Sequence, residues 1–297
     1  GGVYWSLGQP DSAIEHYNQA IKIFREIGDL RHEGTHLGNL GRAYCSQGKY
    51  ESAIEHHTRA LDIQRKIGNK RSEGINLGSL GFVYQVLGHH EQAIVHYTEA
   101  IAIARTIGDK RFEGIHLGNT GESLAKIGRN DEAEVAFRQA ISTCAEIASA
   151  AAGVFSGSLA LLLAQQERHD EAWIVIESGE SLIEPRPEDH AKFLCKKGLV
   201  CQLSGDGTGA QEALKQAQGL AAELSATSDS ELGQAVGQLT SVLSVGLGEN
   251  SRESLDPNTE AREMALVEAR RLMELGNVQR ELSNYSKAQA LYQSSLE

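Results

Sequence analysis

Proline is scarce in this chain, four residues in 297 against 31 glycines, so little stands in the way of long helices. Cysteine is as sparse. Cys45, Cys144, Cys195 and Cys201 form no Cys-x-x-Cys pair and no metal-finger spacing, which excludes a zinc finger and points to small buried side chains in a reducing, cytoplasmic compartment. No run of about 18 apolar residues occurs, so no helix should cross a membrane. Positive charge is short too, and unevenly so. Residues 1–150 carry 16 basic against 18 acidic side chains, net −2, and residues 151–297 carry 12 against 22, net −10. The acidic half would repel nucleic acid and anionic lipid, both of which are engaged through Lys and Arg clusters. Nine of the eleven histidines lie in residues 1–150, so the charge of that half should shift most between pH 7 and 6.

What the chain does have is a period. From Gly28 to Ile147 a 40-residue unit occurs three times, and its first two copies agree at 19 of 40 positions. A unit of this kind buries its apolar face only against its neighbours, which makes a solenoid. Leu37, Leu40, Gly41 and Tyr44 recur as Leu77, Leu80, Gly81 and Tyr84, a spacing that fits one face of a helix. Ala53, Ile54, His57, Ala60, Leu61 and Ile63 recur as Ala93, Ile94, Tyr97, Ala100, Ile101 and Ile103 and define a second helix. Gly48, Gly88 and Gly128 separate the two, and Gly28, Gly68 and Gly108 follow the second, as left-handed C-terminal residues do. Asp29, Asn69 and Asp109 come next, placed to cap the following helix.

These positions resemble the signature of the tetratricopeptide repeat: Leu37, Leu40, Gly41, Tyr44, Gly48, Tyr50, Ala53, His57 and Ala60 stand at that family's large, small and aromatic sites. The unit departs from it in length, 40 residues instead of about 34, and in Arg25, Arg65 and Arg105, which stand where the family usually has proline. The resemblance implies an all-α fold, a right-handed superhelical solenoid of antiparallel helix pairs whose first helices line a concave groove. It also implies binding of a protein or peptide partner. The lysine column of the carboxylate clamp used by chaperone-binding members is here Gly38, Gly78 and Gly118, so that use is excluded. The 40-residue form is similar to the repeats of polarity adaptors and of bacterial signalling proteins, in which an attached domain supplies the output.

The organisation expected is regular units over 1–147, the first cut short so that the chain begins inside a repeat; degenerate helix pairs over 148–245; a loop or linker over 246–259; and a truncated C-terminal unit over 260–297, carried by Leu272, Leu275, Gly276, Tyr285, Ala288 and Tyr292. Pro185 and Pro187 mark a helix end and the next start. Groove residues should be those of the first helices that vary between copies: Trp5, Asn39, Arg42, Ser79, Phe82, Gln85, Asn119 and Glu122. Asparagine can satisfy both the donor and the acceptor of an extended peptide main chain. Binding of an extended or helical peptide segment is therefore the function expected, as the sensor or scaffold part of a larger signalling protein. The alternative is a structural spacer or self-association scaffold.

Several apparent sites dissolve on the repeat register. His32-Glu33-Gly34-Thr35-His36 matches the metalloprotease pattern, but the sister copies begin Ser72-Glu73-Gly74 and Phe112-Glu113-Gly114 and neither keeps both histidines. His16, His56 and His96 recur once per unit, too far apart for one metal ion, and are expected as an outward row. Gly205 to Gly209 lacks the Gly-Lys-Ser/Thr ending of a phosphate loop and reads as a lengthened turn, and Asn284-Tyr285-Ser286 is a sequon without use in the cytoplasm. Nothing combines a nucleophile with a base and an orienting group; no enzyme, metal or cofactor is expected. Gly34, Gly38 and Gly41 and their copies leave two readings for the Gly38 column, helix packing or a groove floor.

Overall fold

A computed structural model describes residues 1–6, 9–147, 150–183, 186–228 and 230–250; the side chains of residues 5, 6 and 245–250 lie outside that description. Among the described residues there are thirteen helices and no strand. They are α1 Gly2–Ser6, α2 Pro10–Glu26, α3 Leu30–Ser46, α4 Tyr50–Lys66, α5 Lys70–Val86, α6 His90–Ile107, α7 Lys110–Lys126, α8 Asn130–Ala145, α9 Ala151–Gln165, α10 His169–Ile183, α11 Pro187–Leu203, α12 Gly207–Glu223 and α13 Glu231–Asn250. Each helix from α3 to α10 packs on its predecessor, and α11 packs on α9 more than on α10. The fold is an all-α solenoid of antiparallel helix pairs.

The punctuation falls where the sequence put it. Gly28, Gly48, Gly68, Gly88, Gly108, Gly128 and Gly205 all have φ between 70 and 79°, which a side chain resists. Where the register degenerates, Glu167 takes the equivalent turn position with φ 62°, at a cost of about 1–2 kcal/mol. Asp29, Asn69 and Asp109 accept from the main-chain nitrogens of His32, Ser72 and Phe112. Pro187 opens α11 at its first turn. The Gly205–Gly209 segment is corrected: Ser204 to Asp206 make a turn as short as the others, Gly207 and Gly209 belong to α12, and Asp206 caps it by accepting from the Gly209 nitrogen.

Both inner glycine columns serve packing. A Cβ on Gly41, Gly81 or Gly121 would lie 2.8, 2.7 and 2.8 Å from the rings of His57, Tyr97 and Phe137, the matching residues of the second helices. The Gly38 column is filled from the next unit, by Asn76 over Gly38, His116 over Gly78 and Phe155 over Gly118. It is not an open floor.

The expected loop over 246–259 is corrected in its first part, since α13 continues to Asn250. Residues 251–259, the C-terminal unit over 260–297 and the sequon at Asn284 lie outside the described residues.

Candidate functional site

Successive first helices touch one another, α3 on α5, α5 on α7, α7 on α9 and α9 on α11, with no comparable contact between successive second helices among the described residues. The first helices therefore take the inner side of the curve. On this face Asn39, Ser79 and Asn119 form one row, each half-buried. The row continues as Ser158 and Lys196, 39 and 38 residues further on instead of 40. Arg42, Phe82 and Glu122 form the adjacent row, and Gln85 and Val86 stand one turn along α5.

Only part of this surface is joined together. The Tyr97 hydroxyl, reaching inward from α6, donates to Gln85 Oε1 at 2.7 Å and accepts from Asn119 Nδ2 at 3.5 Å. Gln85 Nε2 donates to Glu122 Oε2 at 3.4 Å, and Ser158 Oγ donates to Glu122 Oε1 at 3.1 Å. Lys196 Nζ donates to Ser158 Oγ at 2.5 Å and stands 3.5 Å from Glu122 Oε1. The Glu122–Lys196 ion pair, bridged through the Ser158 hydroxyl, thus links α7, α9 and α11, and the Gln85 amide joins α5 to them. A serine beside a lysine invites a nucleophile reading, but here Ser158 is largely buried and its proton is directed to a carboxylate.

Toward the N-terminus the face is open. Phe82 is 49% and Val86 45% exposed, one helical turn apart on α5. Asn39 has no side-chain partner among the described residues, Arg42 is exposed, and Ser79 Oγ donates back to the Ile75 carbonyl at 2.9 Å. Trp5 lies in α1, its side chain outside the described residues. The sequence singled out Gln85, Asn119 and Glu122 but missed Tyr97, Ser158 and Lys196. Tyr97 shares a column with His57 and Phe137 and reads as core. The other two become visible only if the register is allowed to shorten by one and then two residues.

The family model for the tetratricopeptide repeat matches residues 1–66 and 73–146. This part of the chain is a tetratricopeptide repeat array. The solved Rap protein complexed with competence and sporulation factor is similar in fold, with a TM-score of 0.63 at 19% identity over 95% of this chain and 73% of that one. The apo form of RapI gives 0.63 at 14% identity over 82% and 95%, and BtubC from P. vanneervenii gives 0.61 at 15% over 73% and 93%. No curated protein matches the sequence. At such identities the likeness shows the fold alone. Arrays of this kind are protein-interaction scaffolds and are generally not catalytic.

Two histidines of α3 are tied into the scaffold. His32 Nδ1 lies 2.7 Å from Asp29 Oδ2 and His36 Nδ1 lies 2.8 Å from the His32 carbonyl, and both rings pack on Phe24 with centroids 5.0 Å apart. No group of three or more metal-ligating side chains comes together among the described residues. The outward row is corrected: His16, His56 and His96 are half-buried against Tyr4, Tyr44 and Tyr84, with centroids 4.7, 5.1 and 5.2 Å apart. In the next unit both partners change together, to Leu124 and Ala136, and both are buried. Burial raises the thiols of Cys45, Cys144 and Cys201, and that of Cys195 to about 11, away from thiolate reactivity. No described helix is long and apolar enough to cross a membrane.

Proposed function

We propose that the inner face of the array binds an extended or helical peptide segment of a partner protein, and that the chain is the sensor or scaffold part of a larger cytoplasmic signalling protein. The observation that carries this reading is the exposure of Phe82 and Val86 on the inner face of α5. The stack has no use for them there, since its own core is closed beneath by Leu77, Leu80 and Val83. Asn39 on one side supplies a main-chain reader, and the exposed aromatic supplies an anchor of the kind that dominates binding energy. Gln85 beside them on α5, and Asn119 and Glu122 on α7, continue the same face. The Rap structure with its bound factor supports the reading by showing what a stack of similar fold holds, and no more.

The test is a pulldown from the source cell extract with the parent and with the variant Asn39→Ala, Phe82→Ala, Asn119→Ala, followed by titration of the captured segment. Loss of an exposed aromatic anchor with its flanking amides is expected to weaken binding at least about tenfold, with an unchanged helical circular-dichroism signal. Equal affinity of the two proteins for that segment would overturn the groove assignment.

A further inference from the structure

We propose that the chain also assembles head to tail with copies of itself, an apolar knob on α10 of one copy entering a basic-rimmed cleft between the α5 and α7 units of the next. The cleft has a volume of about 490 Å³ and is lined by Ile107 and Ile147, which are 40% and 41% exposed, by Arg71, Lys110 and Arg111, and by one carboxylate, Asp109. These arginines sit in the first turns of α5 and α7, and Arg31 takes the same place in α3. A cation there faces the positive end of the helix dipole, and the unit repeats this locally unfavourable choice three times.

Within the stack that choice is only partly offset: the same first turns hold Glu73 and Glu113, but these carboxylates are shared with Arg65 and Lys70 and with Arg105 and Lys110. Arg71 reaches only Asp109, at 3.9 Å, and Arg111 has no partner among the described residues. Lys110, by contrast, is taken up by Glu113 and Glu146. A repeated departure from a local rule that the molecule itself only partly compensates marks a surface that meets something outside it. What it meets must be anionic and, for the two isoleucines, partly apolar.

The chain itself carries a surface of that description. On α10, Trp173 and Ile174 are 39% and 67% exposed. Asp170 and Glu177 flank them, exposed and without a cation partner among the described residues. Seven residues of helix set these two carboxylates about 10 Å apart. Apolar centre and charged rim therefore match in order and in sign. Between residues 151 and 243 the balance is six basic against thirteen acidic side chains, so the far half of one copy is drawn toward the arginine edge of another.

Knob and cleft are different surfaces of the same rigid stack, which makes the contact heterologous. That provides a sharp test. Sedimentation velocity of the whole chain is expected to show a mass that grows with concentration and falls with added salt. Trp173→Ala/Ile174→Asp removes the knob and Arg71→Glu/Arg111→Glu reverses the cleft rim; each protein should remain monomeric, near the 32.1 kDa of one parent chain, with an unchanged helical circular-dichroism signal. Mixed in equal amounts the two variants should form a species of two chains and nothing larger, because each retains the half that the other has lost. The groove variant at Asn39, Phe82 and Asn119 should assemble as the parent does, which separates this contact from peptide binding. A parent that is monomeric at every concentration, a variant that still assembles, or a mixture that stays monomeric would each overturn the proposal.

Discussion

His116 shows how far a single side chain can be fixed by its unit. It is buried over Gly78 between Tyr97 and Phe112, with ring centroids 5.6 and 5.7 Å away, and neither of its nitrogens has a partner. Burial drives its pKa down to about 4, with Asp109 opposing the shift. A ring that is neutral when folded and protonated when unfolded leaves stability intact above about pH 6.5. Below that, stability falls with pH until the folded form also takes up the proton near pH 4. The shift corresponds to about 3 kcal/mol. His116→Phe should flatten the fall in urea-unfolding free energy between pH 6.5 and 4.5. Phe155 already fills the same place over Gly118, so the variant has a precedent in the next unit. An equally steep fall in the variant would remove His116 as its source. His57, lowered by burial despite the bond from its Nδ1 to Asn76 Oδ1 at 3.0 Å, leaves a smaller slope of the same sign. Composition placed the charging of the histidine-rich half between pH 7 and 6; burial moves part of it lower, and burial is not visible in a count.

At the scale of helices, the three arginines that replace proline have a structural purpose. Arg25, Arg65 and Arg105, at the ends of α2, α4 and α6, donate through Nε to Glu33, Glu73 and Glu113 at 2.8, 3.2 and 2.7 Å. Each pair ties the end of one unit to the start of the next. The glutamates are nearly buried, with side-chain exposures of 9, 7 and 8%. Burial works against ionisation of Glu113, but hydrogen bonds from Arg105 and Lys110 prevail and hold its carboxyl below the usual range. Arg105→Ala leaves that carboxylate to Lys110 alone, at 3.2 Å. Because the guanidinium is half-exposed, the loss should be about 1–2 kcal/mol, short of that for a fully buried pair. Arg129→Ala, which breaks an exposed pair with Glu132, should leave the urea midpoint nearly unchanged. Equal effects of the two would show that the tie carries nothing. The helices, turns and caps were legible because each is written locally, in a 3.6-residue spacing, a left-handed glycine or a capping aspartate. The tie was not. Glu33, Glu73 and Glu113 were seen to belong to the repeat, but their partners lie eight residues back on another helix, and only the fold brings them together. The inner-face row was legible only in part, for a different reason: Ser158 and Lys196 slip out of a strict 40-residue register while keeping their place on the inner face.

Across the stack the core is unevenly distributed. One cluster of buried side chains runs from Ile101 on α6 to Val200 on α11 and includes Phe137, Phe155, Phe193 and Leu163. The units before it are held by two smaller clusters, around Tyr17, Leu37 and Leu40 and around Leu61, Leu77 and Leu80. In a solenoid each unit draws its stability from itself and its neighbours, so the array should open locally before it unfolds as a whole. Native-state hydrogen exchange is expected to be slowest in α8 and α9 and faster by at least about tenfold in α2 and α3. A single rate of opening from α2 to α12 would refute this. The gradient also bears on binding. Asn39 and Phe82 stand on α3 and α5, whose buried side chains belong to the two smaller clusters, whereas Glu122, Ser158 and Lys196 stand on α7, α9 and α11, along the large one. A ligand on the open part of the groove should therefore add protection chiefly to α3 and α5, where the units have most order left to gain, and little to α9.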